Sequence, residues 1–167
     1  MSHTLTFPGD SAPTFPSIAL TLPDDWHALS VSGAVLAAGK TVPAGEFRPN
    51  IVVAISRFGD DYTLQTAIDA VIARVESIEG VVELSRESTP LLGREGFRIE
   101  FSYPDARVGT LMQALRITVV ENGPVVDLVQ VTATTTGIQA KELWGEIREI
   151  QSSATSDSVS AASTAGA

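Results

Sequence analysis

At 167 residues the chain has the length of one domain, and its 20 acidic against 11 basic residues leave a formal net charge of −9. That charge repels phosphate backbones and anionic membrane surfaces, and no Lys/Arg cluster offsets it, so nucleic acid is not expected as a partner. There is no cysteine, which excludes disulfides, zinc–thiolate sites, iron–sulfur clusters and a thiol nucleophile.

No apolar run approaches the roughly 20 residues that span a bilayer, so membrane insertion is not expected. The opening Met-Ser-His-Thr-Leu-Thr-Phe-Pro lacks the basic region and apolar stretch of a secretory leader. The chain therefore reads as a soluble cytoplasmic protein, or as an envelope or secreted one if a leader has been removed.

In chain order, His3 to Pro16 carries three prolines and a Gly-Asp turn, with Leu5 and Phe7 in the alternation of a short edge strand. Ile18, Leu20 and Leu22 alternate with Ala19 and Thr21 and predict a half-buried strand. Pro23-Asp24-Asp25 ends it, and Trp26 follows as a large apolar plug. Val31 to Ala38 predicts a strand closing a hairpin with the first, and Val42 to Gly45 a loop. Asn50 to Phe58 is apolar on both sides, the pattern of a central strand.

Leu64, Ala67, Ile68, Val71, Ile72, Val75 and Ile78 recur at spacings of three and four, which lays one apolar stripe along a helix. Asp61 or Thr63 is placed to cap its start, and Gly80 to stop it. Strand patterns follow at Val81–Glu87, Phe97–Tyr103, Leu111–Glu121 and Val125–Thr134. Asn122-Gly123 supplies the hairpin turn between the last two.

Thr136-Gly137-Ile138-Gln139 fits a capping box and opens a second helix, with Leu143, Trp144, Ile147 and Ile150 as its buried stripe. Ser152 to Ala167 is rich in Ser, Ala and Thr and offers almost nothing to bury. The expected organisation is a single α+β domain over residues 1–151 and a disordered tail over 152–167. Strands in runs, rather than in regular alternation with helices, place the domain among the layered α+β folds.

The sequence carries little recognisable chemistry. Gly33 to Gly39-Lys40-Thr41 resembles a phosphate-binding loop, but five residues separate the glycines where four are needed, and Pro43 and Gly45 break the helix that should follow. His27 lies beside Asp24 and Asp25, yet His3 is the only other histidine, too few ligands for a zinc site. No Gly-x-Ser-x-Gly elbow is present. Asp60-Asp61 reads as a helix cap, and Glu76 with Glu79 as a solvated face. No catalytic, cofactor-binding or metal residue is assigned, no cofactor is expected, and the chain is not read as an enzyme.

One feature suggests binding. Arg94, Arg98 and Arg107 flank or lie within the strand Phe97–Tyr103, whose Arg98 and Glu100 point away from Phe97, Ile99 and Phe101. In so acidic a protein they would form a locally basic contact for a partner, since the guanidinium fork suits interfaces. The competing reading is that they pair with Glu95, Glu100 and Asp105 and only solubilise the surface.

Several motifs together resemble a known family. They are a strand ending in Leu22-Pro23-Asp24-Asp25-Trp26, an Arg-Pro-Asn-Ile-Val-Val strand at Arg48–Val53, a long amphipathic helix, an antiparallel meander, and a last helix bearing Trp144. The chain resembles the actinobacterial LpqN/LpqT lipoproteins of the PsbP-like group, which also holds Ran-binding Mog-type proteins and secretion adaptor chaperones. The resemblance implies an αβα sandwich, a curved and mainly antiparallel sheet flanked by two main helices. It also implies a non-enzymatic adaptor or chaperone-like role with a protein partner, as a monomer or weak dimer. The alternative is a small-molecule or lipid-binding protein of the cell envelope, using space between sheet and helix. One departure stands out: LpqN proteins carry a lipoprotein signal with its Cys, and neither is present here.

Overall fold

The computed structural model describes residues 1–157. Its elements are β1 (Trp26–Ala28), β2 (Leu36–Lys40), β3 (Asn50–Gly59), α1 (Leu64–Glu76), β4 (Val82–Ser88), β5 (Gly96–Asp105), β6 (Gly109–Asn122), β7 (Val125–Thr136) and α2 (Gly137–Ser152). The strands form one antiparallel sheet in the order β1-β2-β3-β7-β6-β5-β4, so the fold is α+β as expected. β3 sits inside the sheet between β2 and β7, which accounts for its apolar residues on both faces.

Each face of the sheet has its own apolar layer, and alternation along the strands decides which residue joins which. On one face Phe97, Ile99 and Phe101 of β5, Leu115 and Ile117 of β6 and Leu128 of β7 pack under Ala67, Val71 and Val75 of α1. On the other, Ile51 and Val53 of β3, Ala114 of β6 and Val129, Val131 and Ala133 of β7 pack under Ile147 and Ile150 of α2. Ile18, Leu20 and Leu22 join this second layer. α2 and the N-terminal segment therefore share the work of covering one face.

The caps follow the sequence closely. Thr63 caps α1, its hydroxyl accepting from the Thr66 N–H at 3.1 Å. Thr136 and Gln139 form the capping box of α2. α1 ends at Glu76 with Ser77 as its cap, and Gly80 takes its positive φ of 74° one turn later, against the ring of Pro104.

Five expectations are corrected. Residues 18–22 are not a strand: only Ala19 bridges, and it does so to Thr155 across the helix face. With Pro16 before and Pro23 after, the segment serves as a strap whose apolar side chains pack, half-buried, against the core. The first hairpin is instead β1 with β2, Trp26 opposite Lys40, so the Trp plug itself lies in a strand and is buried. Leu5 and Phe7 are exposed and belong to no strand.

The β6–β7 turn is Gly123-Pro124, one residue later than expected. Asn122 still pairs with Val125, and Gly123 alone takes a positive φ, 62°. Finally, the domain does not stop at residue 151. Ser153 caps α2, Ala154 is buried, and the Thr155 N–H donates to the Ala19 carbonyl at 2.9 Å. The rest of the expected disordered tail, residues 158–167, lies outside the described residues.

Candidate binding cleft and the charge clusters beside it

The structure does not bring the three candidate arginines together. β5 is ten residues long, about 30 Å at 3.3 Å per residue. Arg94 precedes one end of it and Arg107 follows the other, so residues close in sequence are strung along a line. Arg94 closes a tight turn around Leu92 and Gly93, both at positive φ (56° and 69°), and exchanges backbone hydrogen bonds with Leu91. Arg107 is exposed, its backbone N–H held by the Asp105 carboxylate at 2.8 Å.

Arg98 does point away from Phe97, Ile99 and Phe101, but that face is not solvent. It lies under α2, where the Arg98 side chain is 12% exposed and pairs with Glu87 at 3.0 Å. The competing reading, arginines engaged by carboxylates, describes Arg98. Its partners are Glu87 and Glu100, the first of them from the neighbouring strand β4.

Glu100 is the centre of this cluster and is only 1% exposed. Arg148 of α2 grips it with two nitrogens, Nε at 2.9 Å, and the Arg98 guanidinium stands 3.8 Å away. The Ser85 hydroxyl donates at 3.3 Å, and the Trp144 indole nitrogen lies beside the same carboxylate without a well-formed bond. Burial works against the charged form, but the Arg148 fork, the indole and the two positive charges outweigh it. The carboxyl is held below the usual glutamate value.

Arg116, buried next to this group, forms no ion pair with a carboxylate among the described residues. It donates to the Ser152 hydroxyl at 2.9 Å and to the Arg148 carbonyl. Burial and the charge of Arg98 push its pKa below the ordinary arginine range. The cluster pins α2 to β4, β5 and β6. Trp144 is thus half-buried against the core with its polar edge toward Glu100, rather than a fully buried residue.

Gly39-Lys40 ends β2 and no helix begins there. The Lys40 ammonium is shared by Asp25 and by Glu146 of α2, the latter at 3.2 Å, and the Trp26 indole N–H also donates to Glu146 at 3.3 Å. Burial opposes this charge too, but the two carboxylates raise the Lys40 pKa. His27 is exposed on β1, and among the described residues no group of three or more His, Cys, Asp or Glu is placed to hold a metal ion.

Between the strap and the β1–β2 hairpin lies an apolar cleft of about 220 Å³. Ala28, Ala37 and Ala38 supply small side chains, and Ile18, Leu20, Leu22 and Leu36 supply branched aliphatic ones. The strap exists because Ile18, Leu20 and Leu22 must be buried while the prolines around them deny a strand. The cleft exists because alanines on the hairpin leave its apolar layer thin. Sequence reasoning missed it. The signal was the Leu-Ala-Ala-Gly run of β2, a strand with too little bulk to meet its neighbours.

These features define an antiparallel sheet layered between two helices, with an apolar cleft at one edge and buried ion clusters that lock its last helix. A family profile described as "Probable lipoprotein LpqN" matches residues 8–155. The chain belongs to this Lpp-LpqN family. LpqN of Mycobacterium tuberculosis, described as involved in cell envelope biogenesis, superposes with a TM-score of 0.75 at 21% identity, over 86% of this chain and 85% of that one. The cyanobacterial PsbP (CyanoP) of Synechocystis sp. PCC 6803 gives 0.53 at 14% identity, over 86% and 94%. The fold is therefore PsbP-like. A search of curated proteins returned no match. Among the described residues no helix is long and apolar enough to cross a membrane.

Proposed function

We propose that this protein is a non-catalytic, adaptor or chaperone-like component of the cell envelope that docks a protein partner at the cleft between residues 18–22 and the β1–β2 hairpin. Its family is described as a lipoprotein one, and its structural relative LpqN is described as acting in envelope biogenesis. Both support the envelope rather than the cytoplasm that the opening residues suggested. The single observation that carries the docking reading is the cleft itself. Its lining is aliphatic with no titratable side chain, which suits burial and not proton transfer. Its volume of about 220 Å³ falls below the roughly 300–1,000 Å³ of pockets that enclose a drug-sized ligand, and suits one apolar side chain of a partner.

A second reading, a small apolar or lipid ligand, draws on a neighbouring groove of about 290 Å³ that also uses Leu22 and would extend the cleft. A photoreactive residue placed at Leu20 separates the two, with one at the exposed Ile138 as control. Discrete protein adducts from position 20 and not from 138, in cells of the native host, support docking. Lipid or small-molecule adducts alone at position 20 would establish the second reading instead.

A further inference from the structure

The groove next to the cleft differs from it in one respect, its charge. It runs between the strap and the C-terminal half of α2. Leu22, Pro23 and Ile150 give it apolar walls, and Glu146 and Glu149 bring carboxylates into the lining. Glu142, Glu146 and Glu149 recur at helical spacing and share one side of α2, while Asp24 and Asp25 follow Pro23 directly.

Glu146 and Glu149 thus line this groove, and Glu142, Asp24 and Asp25 flank its lining residues in the sequence. Lys40 is divided between Asp25 and Glu146. Glu149 and Asp24 have no side-chain partner among the described residues. The three-carboxylate geometry of a metal site is not met. What remains is apolar surface bordered by unneutralised negative charge, on a protein whose net charge is −9.

We infer that this groove receives a lysine or arginine of the partner, and that the partner segment is basic and apolar together. The inference rests on the docking reading above. A long basic side chain lays its methylenes along Leu22, Pro23 and Ile150 and carries its charged head to Glu149 and Glu146. An apolar residue of the same segment enters the alanine-lined cleft on the other side of Leu22. Acidic segments and anionic headgroups are rejected by the same charges.

The test is an amide-shift titration of ¹⁵N-labelled protein with three acetylated, amidated seven-residue peptides, made of Lys/Leu/Ala, Glu/Leu/Ala and Lys/Ser/Ala. The Lys/Leu peptide shifts amides within 20–25 and 146–153. The Glu/Leu peptide binds at least about tenfold more weakly. Glu149→Gln, which removes no internal contact, weakens the Lys/Leu peptide about two- to fivefold, as loss of one exposed ion pair should. Equal binding of the Lys/Leu and Glu/Leu peptides at the groove overturns the charge inference and leaves docking standing. Equal binding of the Lys/Ser and Lys/Leu peptides removes the apolar cleft from the site. Shifts confined to other surfaces, or none, overturn the inference outright.

Discussion

Arg57→Ala is expected to be among the most damaging single changes in the protein, although no functional role attaches to it. Arg57 of β3 pairs with Asp127 of β7 through two bonds, Nε–Oδ1 at 2.8 Å and Nη2–Oδ2 at 3.0 Å, and the Asp127 side chain is 0% exposed. Its third nitrogen donates to the Pro13 carbonyl at 2.7 Å, and the guanidinium stands 4.2 Å from the Phe15 ring centroid. Asn122 ties in from β6, donating to Asp127 at 2.9 Å and to the Thr14 carbonyl at 2.8 Å. Removing the arginine strands a buried carboxylate, which costs about 3–5 kcal/mol. Losing the backbone bond adds about 1 kcal/mol and the ring contact about 0.5–1 kcal/mol. A loss of about 4.5–7 kcal/mol is a large part of the roughly 5–15 kcal/mol that holds a domain together. Urea unfolding followed by tryptophan fluorescence measures it as a lower midpoint at constant slope. Adding Asp127→Asn to the Arg57→Ala chain should then cost nothing further, or recover stability, because the stranded charge is gone. A loss below about 1.5 kcal/mol for Arg57→Ala, or full additivity in the double variant, would refute the argument that Asp127 depends on this partner.

Two further outcomes follow. Glu100 is held below the usual glutamate value in the folded state, so its contribution is present above the unfolded value near 4.5 and is lost as pH falls through the lower folded value. Urea midpoints between pH 5 and 3 should therefore fall less steeply for Glu100→Gln than for the wild type, and equal slopes would show that Glu100 does not set the acid limit. A chain ending at Gln151 loses the Ser153 cap and the Ala19–Thr155 bridge, worth about 2 kcal/mol, and should melt about 4–8 °C below the full chain. An unchanged melting temperature would mean that residues 152–157 contribute nothing.

The parts of the fold that were legible are those in which local pattern and tertiary role agree. Both helices announce themselves by spacing and by caps, and β3, β5, β6 and β7 by alternation and two-sided burial. The strap misled because Ile18, Leu20 and Leu22 alternate like a strand. Alternation reports which side chains are buried, and whether a backbone also joins a ladder depends on neighbours that the sequence does not order. Arg94, Arg98 and Arg107 misled for a related reason. Fourteen residues of chain suggest proximity, but in an extended strand they are a distance. The ion clusters had a weaker trace. Asp127 interrupts Val125-Val126 and Leu128-Val129, and a carboxylate in such a run must be paired if it is buried. Its partner Arg57 lies 70 residues away, and only the β3–β7 register, Arg57 opposite Asp127, reveals it.

That register also explains how the cleft keeps its shape. A strap without a ladder has few backbone bonds to fix it, so it is fixed at its ends and beside α2. Arg57 and Asn122 hold the carbonyls of Pro13 and Thr14 at one end. Ala19 and Thr21 are bonded to Thr155 and Ser153 along its length. At the other end Trp26 and Lys40 both reach Glu146. Between these ties the side chains of residues 18–22 face a hairpin of alanines with no backbone contact drawing them closer. The cleft is therefore the place where two halves of one apolar layer, a strap and a thin hairpin, meet without filling the space. In the docking proposed above, a partner's apolar side chain would complete that layer at the β1–β2 edge of the sheet.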